Sequence, residues 1–274
     1  MRIRIKRILF LVISATIVGI MSYAVFQLGR MLKMYKDSEV AYQIIADEVV
    51  KGTLSRGETN EESEGEEETL ELITAEDDTQ IAPVDVSLDI SVDFTALQQT
   101  NTDIVGWLYS PGTEINYPVV QGSDNAYYLT HSFDMKDNKC GCLFVDAENT
   151  KNYEDGNTII HGHHMKNGSM FASLLQYQKQ SYYNQHPVIF LLTPGENYEI
   201  DLFAGFTTNA VSMVYQKNFT SDENFEQLYY ECMRRTTFNT NVEVTESSRI
   251  ITLSTCDYSY DDARYVVLGI LKKI

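Results

Sequence analysis

Positive charge is scarce in this chain. Its 274 residues hold 21 Lys and Arg against 39 Asp and Glu, a formal net of −18. Such a balance gives no basic surface for nucleic acid and argues against polyanions as partners. The deficit is uneven, because eleven acidic residues and no basic one fall within residues 58–78. A stretch so low in apolar content and so rich in like charge cannot bury enough surface to order itself. Residues 51–88 are therefore expected to form an acidic, disordered tether. Cysteine is scarce too, with Cys140, Cys142, Cys232 and Cys256 the full set. Cys140 and Cys142 flank one glycine, too close for an unstrained bridge. A domain of this size builds a core without covalent staples, so free thiols are expected. The chain also lacks the marks of metal chemistry. It has no H-E-x-x-H helix, and no second ligand pair stands at finger spacing beside "HGHH" (161–164), so neither metal nor cofactor is expected.

What is present begins at the N-terminus. Arg2, Arg4, Lys6 and Arg7 precede a charge-free run over residues 8–29. As a helix that run spans about 33 Å, enough for a bilayer core of about 30 Å. Basic residues on its N-terminal side predict a single-pass anchor with the remainder outside the cell. Ser22-Tyr23-Ala24 has the small-x-small form of a signal-peptide cleavage site. The apolar run continues past it to Leu28, longer than a signal core, which favours an uncleaved anchor. Residues 1–29 are thus read as basic tail and anchor. Residues 30–50 read as a juxtamembrane helix with Met34, Ile44, Ile45 and Val49 among its apolar positions.

The globular part is expected over residues 89–274. Asp93 is placed to cap a short helix through Phe94 and Leu97. Short β-prone runs follow at 104–122, 140–146 and 157–164, with Pro111-Gly112 as turn chemistry and Tyr117-Pro118 suited to an edge. Residues 187–207 read as a hairpin around 194–197. Two helices interrupt the pattern. One covers 169–178, with Met170, Phe171, Leu174 and Leu175 at helical spacing. The other covers 221–235, opened by a capping box, Thr220-x-x-Glu223. Its apolar face is Phe225, Leu228, Tyr229, Cys232 and Met233, which makes Cys232 a core residue. Strands at 249–254 and 265–271 end the chain. Many short strands with few helices indicate a mainly β fold, an antiparallel barrel or sandwich.

Cysteine attacks as the thiolate, which needs a polar or cationic setting. Cys256 ends a strand in polar company, with Ser254, Thr255 and Asp257 beside it. Cys140 and Cys142 neighbour Leu143, Phe144 and Val145 instead. Cys256 is the best placed nucleophile. Proton transfer needs a partner, and "HGHH" offers His161, His163 and His164 at another strand end; His131 and His186 fall in turn-like settings. Arg264, which opens the last strand, has a rigid donor fork that suits a developing oxyanion. The alternative for Arg264 is surface pairing with Asp261 or Asp262.

These residues resemble the sortases, and specifically class B. "TLSTC" (252–256) with Arg264 on the next strand, "HGHHMKNGSMFASL" (161–174), and "DFTALQQTNTDIVGWLYSPGTEINYPVVQGSDNAYYLTHSF" (93–133) carry the resemblance. It covers roughly 89–274. It implies a closed eight-stranded β-barrel with N-terminal helices and a helix inserted before the catalytic cysteine strand, matching 221–235. It also implies a membrane-anchored cysteine transpeptidase of Gram-positive bacteria. Such an enzyme cuts a C-terminal sorting signal on a surface protein after its threonine and joins the threonine to a peptidoglycan amine, lipid-linked in the precursor. By the same resemblance Cys256 is the nucleophile, His163 the catalytic histidine and Arg264 the family's arginine. Ser254 and Thr255 are implied to contact substrate. The chain departs from the family at His161, a position usually held by tyrosine, and at Cys140 and Cys142.

Two other functions fit less well. A pilin-polymerising sortase often carries an aromatic lid, which is not visible here. An anchored binding module on an acidic stalk would have no use for the Cys, His and Arg set. Papain-like proteases place the cysteine before the histidine, and L,D-transpeptidases carry Ser-His-Gly-Cys; this chain has neither arrangement.

Overall fold

The computed structural model describes residues 2–56, 86–219 and 221–274. Helix α1 runs unbroken over Arg2–Val49. Its first part is apolar on all sides and exposed, with Leu9, Phe10, Ile17, Ile20 and Phe26 all at least half accessible. Among the described residues this is the one helix long and apolar enough to cross a membrane. Its last turns are different. Ser38, Tyr42, Ala46 and Val49 recur at i, i+4, i+8 and i+11 and are buried, with Met34, Tyr35 and Ile45 packed beside them. That spacing marks one face of a helix laid against a globular body. Ile44 points away and is exposed.

Strand β1 (Val50–Arg56) follows α1 directly and pairs antiparallel with β2 (Val86–Val92), from Val50↔Val92 to Arg56↔Val86. The expected tether over 51–88 therefore has strands at both ends; its middle, 57–85, lies outside the described residues. Helix α2 (Phe94–Thr100) starts as expected from Asp93, whose carboxylate accepts from the Ala96 amide at 3.0 Å.

Eight strands then close into a barrel: β3 (Ile104–Tyr109), β4 (Asn116–Val120), β5 (Leu143–Val145), β6 (Asn157–His161), β7 (Val188–Leu192), β8 (Tyr198–Asn209), β9 (Ile250–Cys256) and β10 (Ala263–Lys273). Their order around the barrel is β10-β8-β7-β3-β4-β5-β6-β9. The sheet is mixed, not wholly antiparallel, because β4 runs parallel to β5 and β6 runs parallel to β9. Pro118 sits inside the barrel wall instead of at an edge. It faces Trp107 on β3, and the β4–β5 pairing includes only Val119 and Val120, so its missing N–H costs no bond to β5.

Alternation along β9 and β10 splits the core in two. Ile251, Leu253, Tyr265 and Val267 join the barrel interior. Ile250, Val266, Leu268 and Ile270 face outward and are covered by helix α4 (Asp222–Arg235) through Phe225, Leu228 and Cys232. Each such side chain, fully buried, contributes about 1.5–3 kcal/mol. The α4 cap is Ser221, which accepts from the Asn224 amide. Thr220, the expected cap, lies outside the described residues. Met233 belongs to the expected face but is 38 % exposed, because it falls at the edge of the buried stripe. The expected helix at 169–178 is a 3-10 helix over Phe171–Gln178, followed by a short α-helix, α3 (Gln180–Gln185), that the apolar spacing did not announce.

Candidate active site

Two ladders bring the candidate residues to one end of the barrel. Strands β6 and β9 run parallel, with His161 opposite Ser254. The pairing continues past β6, where the Gly162 amide donates to the Ser254 carbonyl at 3.0 Å. Beyond it the chain stays against the end of β9, where His164 Nδ1 lies 3.0 Å from the Cys256 carbonyl oxygen; His163 is the residue between these two contacts. On the other side of β9, Cys256 lies opposite Arg264 of β10. Cys256 and Arg264 are paired on β9 and β10, and His163 lies two residues past the end of β6, the strand on the other side of β9. Gly162 makes the turn between the histidines possible. A Cβ there would fall 2.5 Å from Leu143 Cδ2 and 2.6 Å from Phe171 Cδ2, so any side chain would push the His163 segment off the barrel.

His163 is held by backbone. Its Nε2 lies 2.7 Å from the Leu129 carbonyl oxygen, and its own carbonyl accepts from the Phe171 amide at 3.0 Å. A carbonyl can only accept, so Nε2 carries the hydrogen and Nδ1 is left to take up or release a second proton. The arrangement is a base oriented by a third group, here a main-chain carbonyl. His164 bonds differently, through Nδ1 to the Cys256 carbonyl at 3.0 Å, and pins the end of β9. Its ring packs near that of the exposed Tyr258.

Cys256 is the one half-buried thiol; Cys140, Cys142 and Cys232 are buried, and all four are free. Burial pushes the thiols of Cys142 and Cys232 up to about 12 and raises that of Cys140. Those three are held as neutral, unreactive groups. The Arg264 guanidinium donates to the Ala263 carbonyl at 3.0 Å, and no ion pair among the described residues includes it. Pairing with Asp261 or Asp262 is thus not what holds it.

Ser254 and Thr255 point opposite ways. The Ser254 hydroxyl shares the face of Cys256 and meets the Tyr215 hydroxyl at 2.8 Å. Thr255 faces the barrel interior opposite Tyr265, 2 % exposed, with its hydroxyl unpartnered. Burial raises the Tyr215 phenol, and Cys256 adds to that; the Ser254 bond and the Arg264 charge pull against it.

Behind this lies a network that spacing in the sequence does not reveal. Tyr215 lies parallel to His161, with ring centres 6.2 Å apart. His161 Nε2 meets Asp146 Oδ2 at 3.1 Å, and Asn125 donates to the same oxygen at 2.9 Å. Lys217 bonds the other oxygen of Asp146 at 3.3 Å and Glu148 at 2.8 Å. Burial alone would raise the Asp146 carboxyl. The His161 bond, the Glu148 amide and the charges of His161 and Lys217 outweigh it and hold the carboxyl well below its usual range. Where His161 replaces the tyrosine usual in the resembled family, a charged partner compensates. Among the described residues, no group of three or more His, Cys, Asp or Glu side chains converges as a metal site.

Known proteins match this chain in sequence and fold. The sortase domain family matches residues 108–272. Sortase B of Listeria monocytogenes serovar 1/2a is 37% identical over 190 residues, covering 69% of this chain and 77% of that protein. Sortase B of Staphylococcus aureus is 35% identical over 183 residues, covering 66% and 75%. The solved Staphylococcus aureus sortase B–substrate complex superposes with a TM-score of 0.63 at 36% identity, covering 66% of this chain and 85% of that one. With the family matched across the barrel and relatives this similar over two thirds of its length, the chain belongs to the sortases, in class B, and is a cysteine transpeptidase.

Proposed function

We propose that this sortase cleaves a C-terminal sorting signal after its threonine and transfers the protein to a peptidoglycan amine, lipid-linked in the precursor. Cys256 is the nucleophile, His163 the acid and base, and Arg264 the oxyanion donor. The supporting observation is the His163–Leu129 bond, which occupies Nε2 and leaves Nδ1 to carry the exchanged proton, next to His164, whose ring bonds the Cys256 carbonyl.

The Cys256 thiolate attacks the threonine carbonyl and forms a C–S bond, and negative charge moves to the carbonyl oxygen. Arg264 and nearby backbone N–H groups stabilise that charge. Collapse breaks the C–N bond, and protonated His163 gives its Nδ1 proton to the departing amine. The product is a thioacyl-enzyme. The acceptor amine then attacks the same carbon and passes a proton to His163, the C–S bond breaks, and the thiolate returns. Water in place of the amine gives slow hydrolysis. Ser254, itself buried, holds Tyr215 by the hydroxyl and so supports the substrate groove from behind. Thr255 supports the strand from the interior side.

The exposed apolar part of α1 is the membrane anchor, crossing once, with Arg2, Arg4, Lys6 and Arg7 on the cytoplasmic side and the barrel outside. A panel of sorting-signal peptides, with reaction products read by mass spectrometry, tests this function. A peptide cut after threonine, with an acyl adduct on Cys256 and none on Cys256→Ala, is expected. Normal turnover by Cys256→Ala overturns it.

A further inference from the structure

The docked half of α1 reaches the rim of the barrel. Ser38 and Tyr42, one turn apart, both face the loop that precedes β5. The Ser38 hydroxyl accepts from the Asn138 side chain at 3.0 Å. The Tyr42 hydroxyl donates to the Gly141 carbonyl at 2.6 Å, and Tyr42 is 3 % exposed. Its ring packs edge-on to Tyr117 and against Phe133, so the hydroxyl has one direction to point.

Gly141 in turn lies close to the candidate catalytic histidine. Gly141 has φ +62, and a Cβ on it would lie 2.5 Å from the Tyr128 carbonyl, 3.0 Å from the Leu129 carbonyl and 3.1 Å from His163 Cδ2. The loop is tied to the same segment, since the Cys142 amide donates to the Tyr128 carbonyl at 3.0 Å. Leu129 supplies the carbonyl that orients His163. The His163 ring therefore lies beside a glycine with no room for a side chain, and the carbonyl of that glycine is held by the N-terminal helix.

We propose that Tyr42 is a positioning residue for the transpeptidation reaction: through the Gly141 carbonyl it fixes the peptide against which His163 is held, and so couples docking of the N-terminal helix to the geometry of the catalytic base. The proposal rests on the reading of His163 as that base. Losing one hydroxyl leaves the Gly141 carbonyl without its Tyr42 partner and frees the His163 shelf to shift. Small displacements of a general base lower the chemical step more than substrate binding.

The test uses the full chain in detergent micelles, with histidine labelled at Cε1 with carbon-13, and compares wild type, Tyr42→Phe, Val49→Ala and His163→Ala. Val49 is buried on the same docked face but sits away from Gly141, so Val49→Ala loosens packing without touching the shelf. Tyr42→Phe is expected to lower kcat about five- to tenfold with KM changed less than twofold, a loss of the size one buried hydrogen bond supplies. It is also expected to move the His163 Cε1 resonance and the acid limb of the pH–kcat profile. Val49→Ala is expected to lower the melting temperature at least as far while leaving both where they are in wild type. An unchanged kcat in Tyr42→Phe, a fall without movement of the His163 resonance, or an equal change in Val49→Ala overturns the proposal. His163→Ala keeps the two readings apart. If it stays active, the role of His163 fails, and the resonance still reports whether Tyr42 positions the ring.

Discussion

Arg264 stands directly opposite Cys256 in the β9–β10 ladder, on the strand that closes the barrel against the cysteine strand. Its guanidinium is held by a main-chain carbonyl and, among the described residues, by no carboxylate. A charge kept unpaired beside a nucleophile is available to an oxyanion. Arg264→Ala is expected to lower kcat by about 10²–10³, with a smaller change in KM. Arg264→Lys keeps the charge and loses the rigid fork, so it is expected to recover only part of that loss. Steady-state kinetics on a cognate peptide reads both variants, and full activity of Arg264→Lys would exclude a role for the fork.

The four thiols differ in burial, and therefore in reactivity. A thiol-reactive chromogenic disulfide at pH 8 is expected to label Cys256 fast in the native protein. Cys140, Cys142 and Cys232 should react only after denaturation, because burial keeps them protonated. Cys256→Ala should show no fast phase. A fast phase in that variant would mean that one of the buried cysteines opens readily.

Asp146 gives the fold a dependence on acid. Its carboxyl titrates lower in the folded protein than in the unfolded chain, so it contributes stability above the ordinary carboxylate value of about 4. That contribution is lost as pH falls below that value toward the depressed folded one. Asp146→Asn is expected to unfold at a lower urea concentration than wild type at pH 7, with the difference shrinking steadily between pH 4 and pH 2. A gap that stays constant with pH would remove the ion pairs with His161 and Lys217 as its cause.

Tyr215 and Ser254 share one hydrogen bond beside the nucleophile. Tyr215→Phe and Ser254→Ala should therefore be less than additive. A double-mutant cycle on unfolding free energy is expected to give a coupling of about 0.5–1.5 kcal/mol. Strict additivity would show that the two hydroxyls contribute separately.

Much of the barrel was legible because each strand carries its own apolar run and turn residues. The hairpin of β7 and β8 and the Asp93 cap are local features, and local chemistry specifies them. The parallel pairing of β6 with β9 joins residues more than 90 positions apart, and nothing in either segment records it. That pairing brings the segment after β6 to the end of the cysteine strand, where His164 bonds the Cys256 carbonyl. The Leu129 carbonyl escaped for a related reason, since a main-chain acceptor has no sequence signature. Asp146, Tyr215 and Lys217 are unremarkable residues until the barrel closes around them. Thr255 looked like a neighbour of Cys256 in function as well as in sequence, but the period of two in a strand sends it to the interior. The 3-10 geometry of Phe171–Gln178 was hidden because the apolar spacing of so short a segment suits either helix.

The pairing of Arg56 with Val86 changes what the acidic segment is for. A leash has its two ends apart, and its length sets how far the enzyme can wander. Here the two ends, Arg56 and Val86, are clasped in one ladder, and β1 follows α1 directly, so the helix joins the barrel through that ladder. With the apolar part of α1 as the anchor proposed above, the distance from the lipid is set by a stiff strut. At about 1.5 Å per residue, the helix from Leu28 to Tyr42 is about 21 Å long. An enzyme mounted this way works at a fixed altitude, and its substrates must come to that level.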